Sequence, residues 1–437
     1  MKRALIITYY WPPAGGPGVQ RWLKFVKYFR EFGVEPIVYV PENPNYPLID
    51  ENLSSEIPSD IEIIKQPINE PYRFAKLFSK KKTKQISSGI ISKKEISAME
   101  KLLLYVRGNF FIPDARIGWV KPSVAFLSKY IAENPVDAVI TTGPPHSLHL
   151  IGMQLQKELN VKWIADFRDP WTTIHYHKSL RLNNASARKH KELEALVLKS
   201  ADIITVTSPT TKKEFEMITE TPIEVITNGF DISKEINFEL DSNFSISHIG
   251  SLLSERNPEI LWKILAEICR ENSSFKNNLR LKFAGAVSVE VKKSLENFQL
   301  IENCNFLGYV SHSEALKLQY QSKVLLLVEI NSPETRAIIP GKLYEYMAAK
   351  RPIIALGPKE SDIEGIIAET KSGKFFGYWD NDELKAEILQ LYKQFKTGDL
   401  TIASEGTEKY SRRELTKEMA SLIVLAAESK IQKIIPK

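Results

Sequence analysis

A glycine-rich loop near the start of the chain has the residue types that hold a phosphate. The stretch PPAGGPGVQR (12–21) lies between a predicted strand and a predicted helix that begins at Val19. Glycines let a backbone approach a ligand closely, and the free N–H groups of a helix start attract an anion. The loop is neither a dinucleotide fingerprint, because Arg21 stands where the third glycine belongs, nor a P-loop, because it lacks the Gly-Lys-Ser/Thr ending. A tight turn without a ligand is the alternative.

The second half of the chain places charged residues beside two predicted helix starts. Arg256 directly precedes one helix, while Lys342 and Glu345, three residues apart, share one face of another. An arginine fork suits a phosphate, a lysine neutralises its charge, and a glutamate can accept the two hydroxyls of a ribose. The pattern therefore favours a nucleoside diphosphate. Two alternatives stay open, because arginines before helices are common and a glutamate at a helix start also complements the helix dipole.

Polar residues also follow two strands predicted in the first half. His146 follows a Gly-Pro-Pro turn, and Asp166, Arg168 and Asp169 close the next strand in ADFRDPW. Ligand crevices of open α/β sheets lie outside the carboxyl ends of the strands. We therefore predict that His146 holds a hydroxyl, that Arg168 binds a phosphate and that Asp169 orients an acceptor. The alternatives are a structural histidine and an Arg–Asp pair that braces a loop. The spacing of the two aspartates does not match a metal-binding Asp-x-Asp motif.

The elements that would position these residues alternate between short apolar strands and amphipathic helices. Continuously apolar runs are typical of strands buried on both faces of a parallel sheet. Such runs occur at 4–8, 37–40, 138–141, 163–166, 203–206, 225–227, 245–250, 281–284, 324–328, 353–356 and 375–378. Between the first two runs, residues 19–32 predict a helix with an apolar stripe and with Arg21, Lys24, Lys27 and Arg30 on its other side. We predict two doubly wound α/β domains joined near residues 232–244, with an irregular segment at 72–121 and a final amphipathic helix.

Composition and charge narrow the class of protein. The chain has 437 residues, a length that suits two domains, and only two cysteines, which favours a reducing cytosol. We expect a cytoplasmic protein, because neither a signal peptide nor an apolar run of about 20 residues is present. The net charge of +6 is concentrated in Lys76–Lys101, where eight lysines face two glutamates. This segment predicts contact with an anionic membrane surface or acceptor, and a solvated insertion is the alternative. A basic stripe for nucleic acid is not continued elsewhere.

The order and spacing of several motifs resemble one enzyme family. They are PPAGGPGVQR, VITNGFD, HIGSLLSERNPE, FAGAV, FLGYVSHSEALKLQYQSKVLLL and PGKLYEYMAAKRPIIA. The chain resembles the nucleotide-sugar glycosyltransferases of the GT-B fold, most closely glycosyltransferase family 4, over nearly its whole length. The resemblance implies a retaining, metal-independent transfer of a sugar from a nucleoside diphosphate to an acceptor hydroxyl. It also implies an acceptor domain at 1–235, a donor domain at 245–412, a cleft between them and a helix at 413–437 that returns to the first domain.

The resemblance also assigns roles to individual residues. Arg256 and Lys342 would bind the diphosphate and Glu345 the ribose. The remaining donor-binding residues would be Gly15, Gly16, Gly250, Tyr309 and Val310, the last two at the base.

Two departures from the family pattern affect this assignment. Ala337 stands where the first of two glutamates is usual, and Arg168 stands where a histidine is frequent. A degenerate member that binds nucleotide or glycan without transfer is therefore the first alternative. A sugar-nucleotide epimerase with the same architecture is the second.

Overall fold

The apolar runs of the sequence form two parallel sheets in the computed structural model, which describes residues 1–70, 98–174, 177, 180–231 and 238–428. The strands are β1 (Lys2–Ile7), β2 (Val34–Pro41), β3 (Glu62–Gln66), β4 (Ala138–Gly143), β5 (Trp163–Phe167), β6 (Ile203–Val206), β7 (Ile223–Val225), β8 (Phe244–Ile249), β9 (Leu279–Ala284), β10 (Cys304–Gly308), β11 (Val324–Val328), β12 (Ile353–Leu356) and β13 (Gly373–Phe376). The α-helices are α1 (Pro17–Tyr28), α2 (Ala98–Phe110), α3 (Ile117–Glu133), α4 (Ser147–Leu159), α5 (Asn184–Ser200), α6 (Pro209–Glu216), α7 (Glu259–Glu271), α8 (Ser273–Asn278), α9 (Val289–Asn297), α10 (His312–Gln321), α11 (Lys342–Ala348), α12 (Asp362–Thr370), α13 (Asn381–Thr397) and α14 (Arg412–Glu428).

The first sheet has the strand order β3-β2-β1-β4-β5-β6-β7, and all its pairings are parallel. The chain builds outward from β1 to β3 and then returns to β4, so the direction of building reverses between β1 and β4. Ligands of open α/β sheets bind at such a reversal, outside the carboxyl ends of the strands. In this sheet the glycine-rich loop follows β1, and the Gly-Pro-Pro turn with His146 follows β4.

The final helix packs against the first sheet, in unit 1. Trp22 and Val26 of α1 lie in one buried apolar cluster with Met419 and Ile423 of α14. Because two apolar helix faces pack together on β1, α1 is covered by the sheet and by α14 at once. The prediction that the last helix returns to the first domain is confirmed.

The second sheet has the strand order β10-β9-β8-β11-β12-β13 and is also parallel. Here the reversal lies between β8 and β11. Gly250 follows β8 directly, and Glu329 follows β11 directly, so both residues lie at the carboxyl edge of the sheet where a ligand crevice is expected.

The chain divides into two compact units. Unit 1 consists of Met1–Thr227 and Arg412–Lys437, and unit 2 of Asn228–Ser411. The predicted α/β class with two doubly wound halves is therefore correct. The domain bounds predicted from the sequence, 1–235, 245–412 and 413–437, stay predictions at the level of single residues.

The sequence patterns missed two strands and part of the helical structure. β3 and β10 are edge strands in which no residue is buried, so neither has the continuous apolar run used to predict the others. The prediction of an irregular segment at 72–121 is wrong from residue 98 onward, where α2 and the start of α3 lie. Residues 71–97 lie outside the described part of the chain.

The prediction that the cations of α1 all face away from the core is also wrong. Arg21 and Lys24 are buried, and Lys24 forms an ion pair with Glu56. The apolar stripe of α1 is where the sequence predicts it, but the helix is enclosed on more than one side. Arg21 and Lys24, beside the stripe, are therefore buried and paired with carboxylates instead of being exposed to solvent.

Candidate functional site

A lysine and a histidine meet below Gly250 at the reversal point of the second sheet. Lys342 Nζ lies 3.1 Å from His248 Nε2, and His248 Nδ1 lies 3.0 Å from the carbonyl oxygen of Leu326. A carbonyl only accepts, so Nδ1 donates its proton there and Nε2 accepts from Lys342. A Cβ at position 250 would lie only 3.3 Å from Lys342 Nζ. A residue without a side chain at this position therefore leaves space for the amino group.

Burial controls the charges of this pair. Burial and, to a smaller extent, Arg256 lower the pKa of Lys342, while Glu329 and Glu345 act in the opposite sense, and the net pKa is about 7. Burial and the neighbouring Lys342 hold the pKa of His248 well below its ordinary value, so the imidazole is neutral. Near neutral pH, Lys342 is therefore divided between its charged and neutral forms, and a bound anion would favour the charged form.

Arg256 lies beside the same strand ends and is held by a buried glutamate. Its Nε and Nη2 donate to Glu329 Oε1 over 3.0 and 2.9 Å. Glu329 Oε1 also accepts from the backbone N–H of Ile330, whereas Oε2 has no hydrogen-bond partner in the described part of the chain. The Arg256 side chain stays partly accessible, so the glutamate orients one edge of the guanidinium while the group is still reachable by a ligand.

The predicted ribose and base residues differ in their surroundings. Glu345 is half-buried on α11, and its Oε2 accepts from Gln319 Nε2 over 2.9 Å. Tyr309 is 91% exposed after β10, while Val310 packs partly against the core around α11. Glu345 is thus an oriented carboxylate one turn along the helix from Lys342. The assignment of Tyr309 and Val310 to a base stays a prediction.

Sequence reasoning found the cations of unit 2 but missed their partners. Glu329, His248 and Gln319 were not singled out, although two of them carried a signal. Glu329 ends the apolar run VLLLV, and His248 interrupts the apolar strand FSISHI. Buried polar residues of this kind are satisfied by other polar groups, and here those groups are the predicted site residues.

In unit 1 the glycine-rich loop packs closely against its own surroundings. The N–H of Gly15 donates to the carbonyl of Leu48, and a Cβ at Gly15 would lie 3.0 Å from the Leu48 side chain. Gly16 has a φ of +97°, which favours glycine. A Cβ at Gly18 would overlap the guanidinium of Arg168. Close packing against the protein therefore accounts for these glycines, and donor contacts at Gly15 and Gly16 stay predictions.

Arg168 joins the two loops at the reversal point of the first sheet. Its Nη2 donates to the carbonyl of Pro144, and its guanidinium lies 5.8 Å from the ring centre of Tyr10. Arg168 Nε is buried and has no hydrogen-bond partner within the described ranges. The arginine thus braces the Gly-Pro-Pro turn and keeps one unpaired N–H, and its predicted phosphate contact stays a prediction.

His146 is nearly enclosed, and its ring stacks on Trp171 with the centroids 5.1 Å apart. Burial, reinforced by the nearby histidines and Arg168, holds its pKa well below the ordinary value, so the ring is neutral. Both ring nitrogens lack a hydrogen-bond partner among the described residues. The next residue, Ser147, is fixed by Asp114, which accepts from its N–H and its hydroxyl over 2.8 Å each.

The grouping of Asp166 with Arg168 and Asp169 as residues presented by one strand end requires a correction. Asp166 is fully buried and accepts hydrogen bonds from Arg21, Trp22, Thr142 and Thr205. It is therefore a structural residue. Because side chains alternate between the faces of a strand, Asp166 points to the face covered by α1. Asp169, beyond the strand end, is half-buried.

Neither a metal-binding cluster nor a membrane-spanning helix occurs in the described part of the chain. No group of three or more histidine, cysteine, aspartate or glutamate side chains is arranged to hold a metal ion there. No helix of that part of the chain is long and apolar enough to cross a membrane.

Two family models match adjacent parts of the chain. The model described as Glycosyltransferase Family 4 matches residues 91–234, and the model described as Glycosyl transferases group 1 matches residues 230–399. Together the matches run without a gap from residue 91 to residue 399. No curated protein sequence matches the chain.

Solved structures share the fold at low sequence identity. A glycosyltransferase from Rickettsia africae superposes with a TM-score of 0.60 and 13% identity, covering 98% of this chain and 99% of that one. HepE from Anabaena, solved with UDP-glucose, gives 0.52 and 12%, with 98% of each chain covered. WaaG, a glycosyltransferase involved in lipopolysaccharide biosynthesis, gives 0.51 and 13%, with 98% and 96% covered.

Proposed function

The chain belongs to the GT-B glycosyltransferases of family 4, and from that premise we propose that it moves a sugar from a nucleoside diphosphate to an acceptor hydroxyl with retention of the anomeric configuration. Unit 2 binds the donor and unit 1 the acceptor. The observation that carries the proposal is the pair of cations, Lys342 and Arg256, at the reversal point of the second sheet. HepE, which has this fold, was solved with UDP-glucose, and that supports a nucleotide sugar as the donor.

The two cations suit the chemistry of the leaving group. When the bond between the sugar C1 and the diphosphate oxygen breaks, negative charge develops on the diphosphate. Cations already held in place by buried partners stabilise that charge without reorganisation. Glu329 holds Arg256 and His248 holds Lys342, and Glu345 lies on the helix of Lys342, where it would accept the ribose hydroxyls. These residues supply the charge compensation for which other enzymes use a metal ion, so we infer that the transfer is metal-independent.

The acceptor side rests on the residues around the reversal point of the first sheet. His146 and Arg168 keep unpaired nitrogens, which suit a hydroxyl and a phosphate. Asp169 follows on the same loop and would orient the acceptor. We infer that the acceptor is a glycan or a lipid-linked saccharide in the synthesis of a cell-surface polysaccharide. That WaaG has this fold and acts in lipopolysaccharide biosynthesis supports the inference.

The predicted setting is the cytoplasm, with peripheral attachment to an anionic membrane surface. The basis is the lysine-rich segment Lys76–Lys101, most of which lies outside the described residues. Nucleic acid is not part of the proposal.

A panel of nucleotide sugars, screened by thermal shift and then by donor hydrolysis and transfer, tests the function. A donor at about 100 times its Kd adds roughly 2.7 kcal/mol of stability, which is readily measured. We expect Arg256→Gln and Lys342→Met to abolish both the shift and the turnover. Lys371→Met, which removes an exposed cation paired with Glu405, is the control and leaves both unchanged. Turnover that survives EDTA supports metal independence, and turnover that survives both site variants contradicts the proposal.

The same experiment separates the main alternative. Ala337, which has no polar side chain, stands where the family has its first glutamate, so a protein that binds without transfer is the second candidate. Donor binding that depends on Arg256 and Lys342, with no transfer to any acceptor and no hydrolysis, would identify it.

A further inference from the structure

Helix α2 carries an apolar stripe on the side that faces away from the rest of unit 1. Its members are Met99, Leu102, Leu103, Val106 and Phe110, here called the α2 stripe. Four of them are between 39% and 72% exposed, and Val106 is half-buried. At 3.6 residues per turn they occupy one arc of about 100°. A contiguous apolar arc of this kind, unlike a scattered apolar residue, marks an interaction surface.

The opposite side of α2 fixes the helix to unit 1. Leu104 is buried, and a Cβ at Gly108 would overlap the backbone oxygen of Leu180. At the edge of the stripe, next to Leu102, the Nδ2 of Asn109 donates to the carbonyl of Arg181, while its Oδ1 accepts from the N–H of Asn183. The helix is therefore held with its stripe outward, and the exposure of the stripe follows from this attachment.

The geometry points to a bilayer surface, and we propose that the α2 stripe inserts into the headgroup region of an anionic membrane. The helix has 13 residues and is about 20 Å long, so it is too short to cross a hydrocarbon core of about 30 Å and would lie in the surface plane. The sequence from Lys76 to Lys101, which runs into α2, has six more positive than negative charges. Such an excess attracts anionic lipid and repels a second copy of the same chain.

The attachment of α2 also suggests why a transferase would dock here. Four residues after Phe110, Asp114 binds the N–H and the hydroxyl of Ser147, next to His146. A membrane bound at the stripe would thus be tied by a short, hydrogen-bonded connection to the loop proposed for the acceptor. The inference rests on the proposed function, which already includes an anionic membrane surface, and adds the α2 stripe as the site of contact. Vesicle binding without donor or acceptor tests this contact separately from the transfer.

Vesicle sedimentation of the full-length protein tests the docking. The probes are vesicles of phosphatidylcholine alone and of phosphatidylcholine with 30 mol% phosphatidylglycerol. We expect the wild type to bind the anionic vesicles and the double variant Leu102→Gln/Phe110→Gln to bind at least tenfold more weakly. Met217→Gln/Leu425→Gln, which removes two apolar side chains exposed elsewhere on unit 1, is the matched control and binds like the wild type.

Three outcomes would overturn the proposal. The first is equal binding of the stripe variant and the control, which would assign the attraction to the lysines alone. The second is a wild type that forms a dimer and a stripe variant that is monomeric, with no vesicle binding, which would make the occupant a second copy. The third is absence of vesicle binding together with a lower melting temperature of the stripe variant only, which would make the occupant another part of this chain. Donor hydrolysis without vesicles, measured on the same variants, reports on the proposed function separately.

Discussion

Arg21 and Asp166 form a fully buried ion pair, with Nη2 2.8 Å from Oδ1. The same guanidinium donates through Nη1 to the carbonyl of Thr227. Asp166 also accepts from Thr142 of β4 and Thr205 of β6, so the pair fastens the helix that follows the glycine-rich loop to three adjacent strands. The position of that loop at the reversal point therefore depends on a charge pair beneath it.

Removal of one partner leaves the other charge buried without compensation. We expect Arg21→Met to lower the free energy of unfolding of unit 1 by about 3–5 kcal/mol. Arg30→Met is the control, because Arg30 pairs with Glu35 at the surface, where such pairs contribute about 0–1 kcal/mol. Urea unfolding followed by tryptophan fluorescence measures both variants. Equal losses of unfolding free energy in the two variants would show that the buried pair contributes no more to stability than the surface pair.

The same pair predicts a dependence on pH. Burial raises the pKa of Asp166, but Arg21 and the hydrogen bonds outweigh it, so the net pKa lies below the ordinary value. A carboxyl with a lowered folded-state pKa contributes stability above its unfolded pKa of about 3.9 and loses it as the pH falls through the folded value. In Arg21→Met the buried carboxyl loses the main group that lowers its pKa, so the variant is destabilised more as the pH rises. The stability difference between the wild type and Arg21→Met should therefore be largest near neutral pH and shrink in acid.

Lys342 predicts the pH dependence of donor binding. Its pKa of about 7 means that the free site is protonated below neutral pH and loses its charge as the pH rises. A diphosphate requires the charged form, so we expect affinity for a nucleotide sugar to fall at least tenfold between pH 6 and pH 9. Calorimetric titration at both values is the measurement. Lys342→Arg, which stays protonated, should bind with little change over the same range, and a flat wild-type profile would contradict the role of Lys342.

Gly285 and Gly341 are two glycines near the proposed donor site, and only the first is closely packed. A Cβ at Gly285, where φ is +123°, would lie 2.5 Å from the carbonyl oxygen of Gly250, whereas one at Gly341 meets nothing within 4 Å. We expect Gly285→Ala to cost about 1–3 kcal/mol of stability and to weaken donor binding by moving Gly250 off Lys342. Gly341→Ala should change both by little. Thermal unfolding with and without donor distinguishes the two, and similar curves would refute the assigned contact.

Gly18 predicts a separate effect on the acceptor side. A Cβ there would displace the guanidinium of Arg168 from the Pro144 carbonyl. We expect Gly18→Ala to raise the KM for the acceptor about tenfold or more while the donor Kd stays unchanged. Gly118→Ala is the control, because its Cβ would have only a distant neighbour at 3.9 Å. A parallel loss of donor affinity in Gly18→Ala would place Arg168 on the donor side instead.

Part of this molecule was predictable because burial leaves a pattern in the chain. The central strands are predominantly apolar, since helices cover both faces, and the stripe of α1 repeats at helical spacing. β3 and β10 were missed because none of their residues is buried, so these strands need no such run. α2 escaped for a related reason: its most regular apolar stripe faces outward, and its preceding residues are dominated by lysine.

The sequence by itself determined the α/β class and the positions of Arg256, Lys342, Glu345, His146 and Arg168 beside strand ends and helix starts, whereas the return of the last helix was implied by the family resemblance. The class and these positions depend on the spacing of residues close together in the sequence, which can be read directly from it. Only the tertiary structure decided that Glu329 holds Arg256, that His248 holds Lys342 and that Asp166 neutralises Arg21. Along the chain, Glu329 is 73 residues from Arg256, His248 is 94 from Lys342 and Asp166 is 145 from Arg21. Only the pairing of the strands in the sheets brings these partners together.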